Sequence, residues 1–187
     1  MGPEHQLHVR QKQLLTVGHG PQDRAGLGAL LTGAGVDLVV DVRRFPGSRT
    51  HPDLRREALE QWLPDDGIGY RWDERLGGRR KLPPGEPVVD DWWTVAQFAA
   101  YAAHTRTPEF VDALRELLEL ASTRTVAVMC SETVWWRCHR RLVAGVTVLG
   151  HGRAVTHLLP SGPRPHQPAA GARVTADGLL VWDGAAD

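Results

Sequence analysis

The sequence predicts an α/β fold: a three-layer sandwich in which helices flank a largely parallel sheet, with a small hairpin near the C-terminus. Short apolar runs alternate with longer stretches whose apolar residues recur at helical spacing, the pattern of β-α-β units. Several of the runs are almost continuously apolar, as expected of strands buried on both faces. The chain of 187 residues, 42% hydrophobic and 24% charged, fits one domain that buries roughly two-thirds of its unfolded surface without disulfides. That domain is expected over 1–187, with an α/β core over 14–159 and an extension over 160–187.

Leu14 to Val17 reads as the first strand, closed by the turn residues Gly18-His19-Gly20-Pro21. Asp23 is a candidate N-cap for a helix through Leu27, Leu30 and Leu31, stopped by Gly33 and Gly35. Val36 to Val42 is a second buried strand. Pro52-Asp53 opens a helix carrying Leu54, Ala58, Leu59 and Trp62, ended by Pro64 and Gly67. Ile68 to Trp72 is a third strand. Gly77 to Asp91, with Pro83, Pro84 and Pro87, is the one long irregular segment, and loops of that length inside a compact domain are usually functional or mobile. Helical spacing returns over Thr94–Ala103 and Pro108–Leu120. Thr125 to Met129 is a strand, a helix is expected from about Thr133 to Val146, and Ala154 to Leu159 is the last parallel strand. Pro, Gly and His dominate from Pro160 to Ala172, and Val174 to Trp182, centred on Asp177-Gly178, reads as a hairpin.

Composition excludes several classes. No apolar run approaches the ~18 residues of a membrane span, and the polar start lacks a signal core. Two cysteines are not a disulfide framework, so a cytoplasmic location is the expectation. Twenty-two basic and twenty-two acidic side chains cancel, leaving no global field to attract nucleic acid or an acidic membrane. All the basic residues except Lys12 and Lys81 are arginine, the better planar clamp for anions. They cluster at Arg43-Arg44 with Arg49, at Arg79-Arg80-Lys81, and at Arg137 with Arg140-Arg141.

In open parallel sheets, ligands gather beyond the carboxyl ends of the strands. Gly18-His19-Gly20, Asp41-Val42-Arg43, Cys130-Ser131-Glu132 and His157 all fall at such ends and are expected to converge. Cys130, between a strand and an expected helix start, is the first candidate, because a helix N-terminus favours thiolate. Glu132 can cap that helix, or act as base or ligand. On an unbroken helix Cys138 shares a face with Val134 and Leu142, which makes it a core residue. It also lies ~12 Å along the axis from Cys130, beyond disulfide reach unless the chain bends. His139 is an acid–base candidate or a structural histidine.

Known motifs fit poorly. The six residues between Cys130 and Arg137 lack the glycines of a phosphate-cradling loop. The spacing of Cys130, Glu132, Cys138 and His139 is not that of a closed zinc site. There is no Walker or dinucleotide fingerprint, and no elbow for a serine triad.

Taken together, Thr16-Val17-Gly18-His19, Asp41-Val42-Arg43 with Pro46-Gly47-Ser48, Leu76-Gly77-Gly78, and Met129-Cys130-Ser131-Glu132 running to Cys138-His139-Arg140 resemble the domain-of-unknown-function family 488. The resemblance covers about Leu14 to Leu159. It implies a bacterial or archaeal cytosolic α/β domain without an assigned general activity. His19, Asp41, Arg43, Ser48, Cys130, Glu132, Cys138, His139 and Arg140 fall on the family's recurring pattern, whereas Gly20 stands where a serine is usual.

Three functional readings follow. The first is an enzyme whose cleft is lined by Cys130, Glu132, His19, Asp41 and His139. It would act on a small anionic or nucleotide-like substrate held by Arg43, Ser48, Arg137 and Arg140, with Trp136 as a stacking surface. Asp41 would orient Arg43 or His19. The second is a nucleic-acid-binding module using the arginine clusters and exposed tryptophans. The third is a metal or haem protein with Cys130, Cys138 or His139 as ligands. The sequence names no cofactor and no oligomeric state.

Overall fold

A computed structural model describes residues 12–185. It contains a mixed, mostly parallel sheet of six strands in the order β3-β2-β4-β1-β5-β6. β1 (Leu14–Gly18), β2 (Leu38–Asp41), β3 (Gly69–Trp72), β4 (Val126–Cys130) and β5 (Val155–Leu158) are parallel. The two-residue β6 (Arg164–Pro165) pairs antiparallel with β5 and was not anticipated. β4 lies between β1 and β2, in register from Leu14↔Val126 to Gly18↔Cys130. The ends of the three strands that carry His19, Arg43 and Cys130 are therefore neighbours.

The period-two alternation of strand side chains divides the core into two layers. Leu15, Val17, Val39, Ala127 and Met129 face one side, where α1 (Arg24–Gly33) and α2 (Arg56–Asp65) add Leu27, Leu31, Leu59, Trp62 and Leu63. Leu14, Leu38, Val40, Val126 and Val128 face the other, packed with residues of α3 (Ala96–His104), α4 (Pro108–Thr123) and α5 (Arg140–Gly145). Asp23 caps α1 by accepting from the Gly26 amide at 2.8 Å, as its sequence position predicts. The hairpin of β7 (Ala172–Val174) and β8 (Leu180–Trp182) buries Leu180 and Trp182 in the second layer. Among the described residues, no helix is long and apolar enough to cross a membrane.

Two helices differ from expectation. Pro52 opens a separate 3₁₀ turn, Pro52–Leu54, since extended Arg55 (φ −70°, ψ 154°) breaks the chain before α2, and Pro64 stays inside α2. The larger correction falls between Cys130 and Arg140. Instead of one helix from Thr133 to Val146, the chain makes a 3₁₀ turn at Trp135–Arg137 and passes through extended Cys138 (φ −123°, ψ 150°). Only then does it enter α5, which continues as a π-helical turn over Val146–Gly150. Thr133, Val134 and two tryptophans are weak helix formers. Trp135 also stacks on His157 of β5 at 4.1 Å between ring centroids, which holds the segment against the sheet.

Candidate functional site

The carboxyl ends of β1, β2 and β4 open into a cleft of about 470 Å³. His19, Arg43, Ser48, Cys130, Glu132, Arg137 and His139 from the sequence-derived set line it, together with Cys138. Asp41, Arg140 and Trp136 do not. Asp41 and Arg140 lie buried beneath the cleft, and Trp136 is exposed outside it, edge-on to Trp135. His157 lies within β5, opposite Thr16 in register, and is wholly buried.

Arg43 is held by Asp41 through Nε at 2.9 Å and Nη2 at 2.6 Å. Its Nη1 donates to the Leu54 carbonyl at 2.9 Å and reaches His19 Nε2 at 3.3 Å. Guanidinium only donates, so His19 accepts at Nε2 and carries its proton on Nδ1, which donates to the Gly20 carbonyl at 3.0 Å. Burial lowers the His19 pKa and favours that neutral ring. Tyr70 donates to Asp41 at 2.7 Å, which completes the shell. This assembly is a rigid wall of the cleft: Asp41 orients Arg43 as expected, but the Arg43 guanidinium is committed to protein acceptors.

The turn in place of a helix returns Cys138 to Cys130. Their sulfurs and a His139 ring nitrogen all lie within 4.8 Å of one another, with His139 Nδ1 3.6 Å from Cys138 Sγ. Cys138 is thus both a core residue and a partner of Cys130, which helix arithmetic alone did not allow. Gly78 makes the approach possible, because a β-carbon there would stand 2.7 Å from His139 Nδ1. His139 Nε2 is buried and meets no hydrogen-bond partner among the described residues.

Arg140 decides the electrostatics. It is 1% exposed and forms no ion pair with a carboxylate among the described residues. Its Nε donates to Cys138 Sγ at 3.4 Å, Nη1 to Thr16 Oγ1 at 3.4 Å, and Nη2 to the Glu132 carbonyl. A buried cation requires a nearby anion. The Cys138 sulfur is the ionisable group that can supply one. A hydrogen bond from Cys130 and the charge of Arg140 overcome burial and bring the Cys138 thiol down to about 6. The hydrogen bond to Cys138 and burial push the Cys130 thiol up. The expectation of a lowered Cys130 pKa is therefore reversed: no helix starts at Ser131 to favour thiolate there. Cys130, Cys138 and His139 could together close on a soft metal ion, but the guanidinium against Cys138 opposes a dication on that sulfur.

The rim carries groups absent from the sequence-derived site. Phe45 is 64% exposed, with the Arg44 and Arg79 guanidinium carbons 5.8 and 5.7 Å from its ring centre. Arg79 is the one non-glycine with positive φ (57°) among the described residues, and such strain tends to persist where surrounding structure enforces it. Its carbonyl accepts from Arg44 Nη1 at 3.0 Å. Arg137 is exposed in the cleft and, among the described residues, makes no ion pair or hydrogen bond through its side chain. The arginine clusters signalled this rim, but nothing in the sequence placed Phe45, or Tyr101, whose buried ring lies 5.0 Å from that of His139. Glu132 caps the turn by accepting from the Val134 amide at 3.1 Å, and Ser48 accepts from the His51 amide at 3.0 Å.

Gly20 has φ 51°, and a β-carbon there would overlap the Thr133 hydroxyl. A serine at this position would therefore displace Thr133. No curated protein and no solved structure gives a significant match to the chain. One family model does, over residues 24–147, a stretch that includes the cysteine–glutamate to cysteine–histidine–arginine element but not His19. By that match the chain belongs to the family described as Domain of unknown function DUF488.

Proposed function

We propose that the cleft is the active site of a cysteine-dependent enzyme acting on a small anionic, nucleotide-like substrate, with Cys138 as the reactive sulfur. The observation that carries this reading is a buried arginine with no carboxylate partner among the described residues, donating to one of two adjoining cysteine sulfurs in the floor of an arginine-rimmed cleft. A thiolate held this way is a nucleophile at neutral pH. It gives its electron pair to an electrophilic atom of the substrate. The departing group leaves with the electrons of the broken bond and takes a proton from Cys130, whose thiol burial and Cys138 keep protonated. Arg137 and Arg79 suit the anionic part of the substrate, and the exposed ring of Phe45 offers a face to an aromatic part.

Alkylation of Cys138 at pH 7, in the presence and absence of inorganic phosphate and nucleoside monophosphates, tests the proposal. Protection by at least one of these anions, abolished by Arg137→Ala, is the expected result. Equal rates with every anion, unchanged in the variant, would refute an anionic substrate. Oligonucleotide binding that weakens steeply with salt and leaves Cys138 unprotected would assign the arginines to nucleic acid instead.

A further inference from the structure

Behind the sulfur pair, a directed string of hydrogen bonds crosses from α5 to β5. Arg140 can only donate, so Thr16 Oγ1 accepts from its Nη1 at 3.4 Å and directs its own proton to His157 Nδ1 at 2.6 Å. His157 then carries its ring proton on Nε2, which donates to His166 Nδ1 at 2.9 Å. Burial holds both rings neutral, pushing His157 down to about 3 and His166 down to about 4. Each bond points away from Arg140, so the guanidinium sets both tautomers and they in turn fix its position. The charged groups facing the string are Arg140 at one end and Arg141 beside His166 at the other. The opposite side of Arg140 faces the cysteines and the carbonyls of Glu132 and Thr133.

His157 has a second hold on the same segment. Its ring stacks on Trp135 at an interplanar angle of 7°, and Trp135 lies midway along the turn from Cys130 to Cys138. We propose that His157 is a positioning residue: through Thr16 it holds Arg140 beside the Cys138 sulfur, and through Trp135 it holds the turn that brings the two cysteines together. The inference rests on Cys138 being the working sulfur. It assigns a role to a histidine that never meets the cleft.

The test is the pH profile of Cys138 alkylation by iodoacetamide in the full chain, for Thr16→Val, Thr16→Ser and His157→Phe. Phenylalanine keeps a ring against Trp135 and removes both nitrogens. Valine cuts the string at Thr16 and leaves the histidines and the stack untouched. Both should raise the midpoint and slow alkylation at pH 6 at least threefold, while Thr16→Ser keeps the wild-type profile. A merely structural role would lower the melting temperature and leave the midpoint in place, and that result in Thr16→Val would overturn the proposal. Thr16→Val decides alone if His157→Phe does not fold. A wild-type midpoint typical of a free thiol overturns both this inference and the proposed function. A lowered wild-type midpoint that stays equally low in Thr16→Val overturns this inference only.

Discussion

Removing Cys130 should not abolish the reactivity of the site but shift it along the pH axis. In Cys130→Ala the Cys138 thiolate loses the hydrogen bond that lowers its pKa most, and keeps Arg140 at 3.4 Å. A hydrogen bond to a charged group contributes about 1.5–3 kcal/mol, which corresponds to about 1–2 pKa units. The midpoint of Cys138 should therefore move from about 6 to the range of about 7–8. At pH 6 the ionised fraction then drops from half to a few per cent, a fall in alkylation rate of about 5- to 50-fold, while the two proteins converge above pH 9. The sign is that of an acid whose folded pKa lies below its unfolded one. Ionisation of Cys138 adds stability as pH rises from about 6 toward the ordinary thiol value, and that stability is lost as pH falls through 6. The variant has a single thiol, so stopped-time alkylation followed by intact mass reads the profile directly. A wild-type midpoint above 8, or a variant midpoint identical to wild type in folded protein, would refute the coupling.

Two further substitutions probe the frame around the sulfurs. Gly78→Ala places a methyl group 2.7 Å from His139 Nδ1, so overpacking should cost about 1–3 kcal/mol in urea unfolding and slow Cys138 alkylation at pH 7. Destabilisation with an unaltered alkylation rate would detach His139 from the sulfur chemistry. Trp182→Ala removes a fully buried ring of β8 that packs with the second core layer, and should cost about 3–5 kcal/mol. A loss below 1 kcal/mol would mean that the hairpin is not part of the core.

The fold was legible because its signal is periodic. Continuous apolar runs such as Val126–Cys130 have no solvent face to encode, and helices such as Pro108–Thr123 repeat a three-to-four spacing over several turns. The convergence of His19, Arg43 and Cys130 followed from parallel topology alone, and the neighbouring β2, β4 and β1 deliver it. The turn at Trp135–Arg137 was not legible. Its cause is tertiary: a tryptophan stacked on a histidine twenty-two residues further on, and a guanidinium bonded to two carbonyls of the segment. Helical spacing therefore placed Cys138 in the core and away from Cys130, when one broken turn places it in both settings. Phe45 escaped for the opposite reason. An exposed aromatic residue in a loop has no pattern to break, and only the two arginines beside it give it a role.

The two buried arginines of the site differ in a way that separates scaffold from chemistry. Arg43 and Arg140 are almost equally withdrawn from water, at 5% and 1% exposure. Arg43 is neutralised by the Asp41 carboxylate, 2.6 Å from its Nη2. Arg140 has carbonyls, a hydroxyl and a sulfur. Carbonyls and hydroxyls solvate a cation without cancelling its charge, so the remaining demand falls on a group that can ionise. That group is a thiol, whose proton affinity can be drawn into the neutral range, where a carboxylate in its place would be a fixed anion and chemically inert. Replacing Cys138 by Asp should accordingly preserve the fold and satisfy Arg140, yet remove thiol reactivity at neutral pH. Cys138→Ala leaves the same cation buried without an anion, and should be the less stable of the two variants in urea. The reverse order of stability would mean that Arg140 does not require a negative charge beside it, and the case for a thiolate at Cys138 would lose its electrostatic basis.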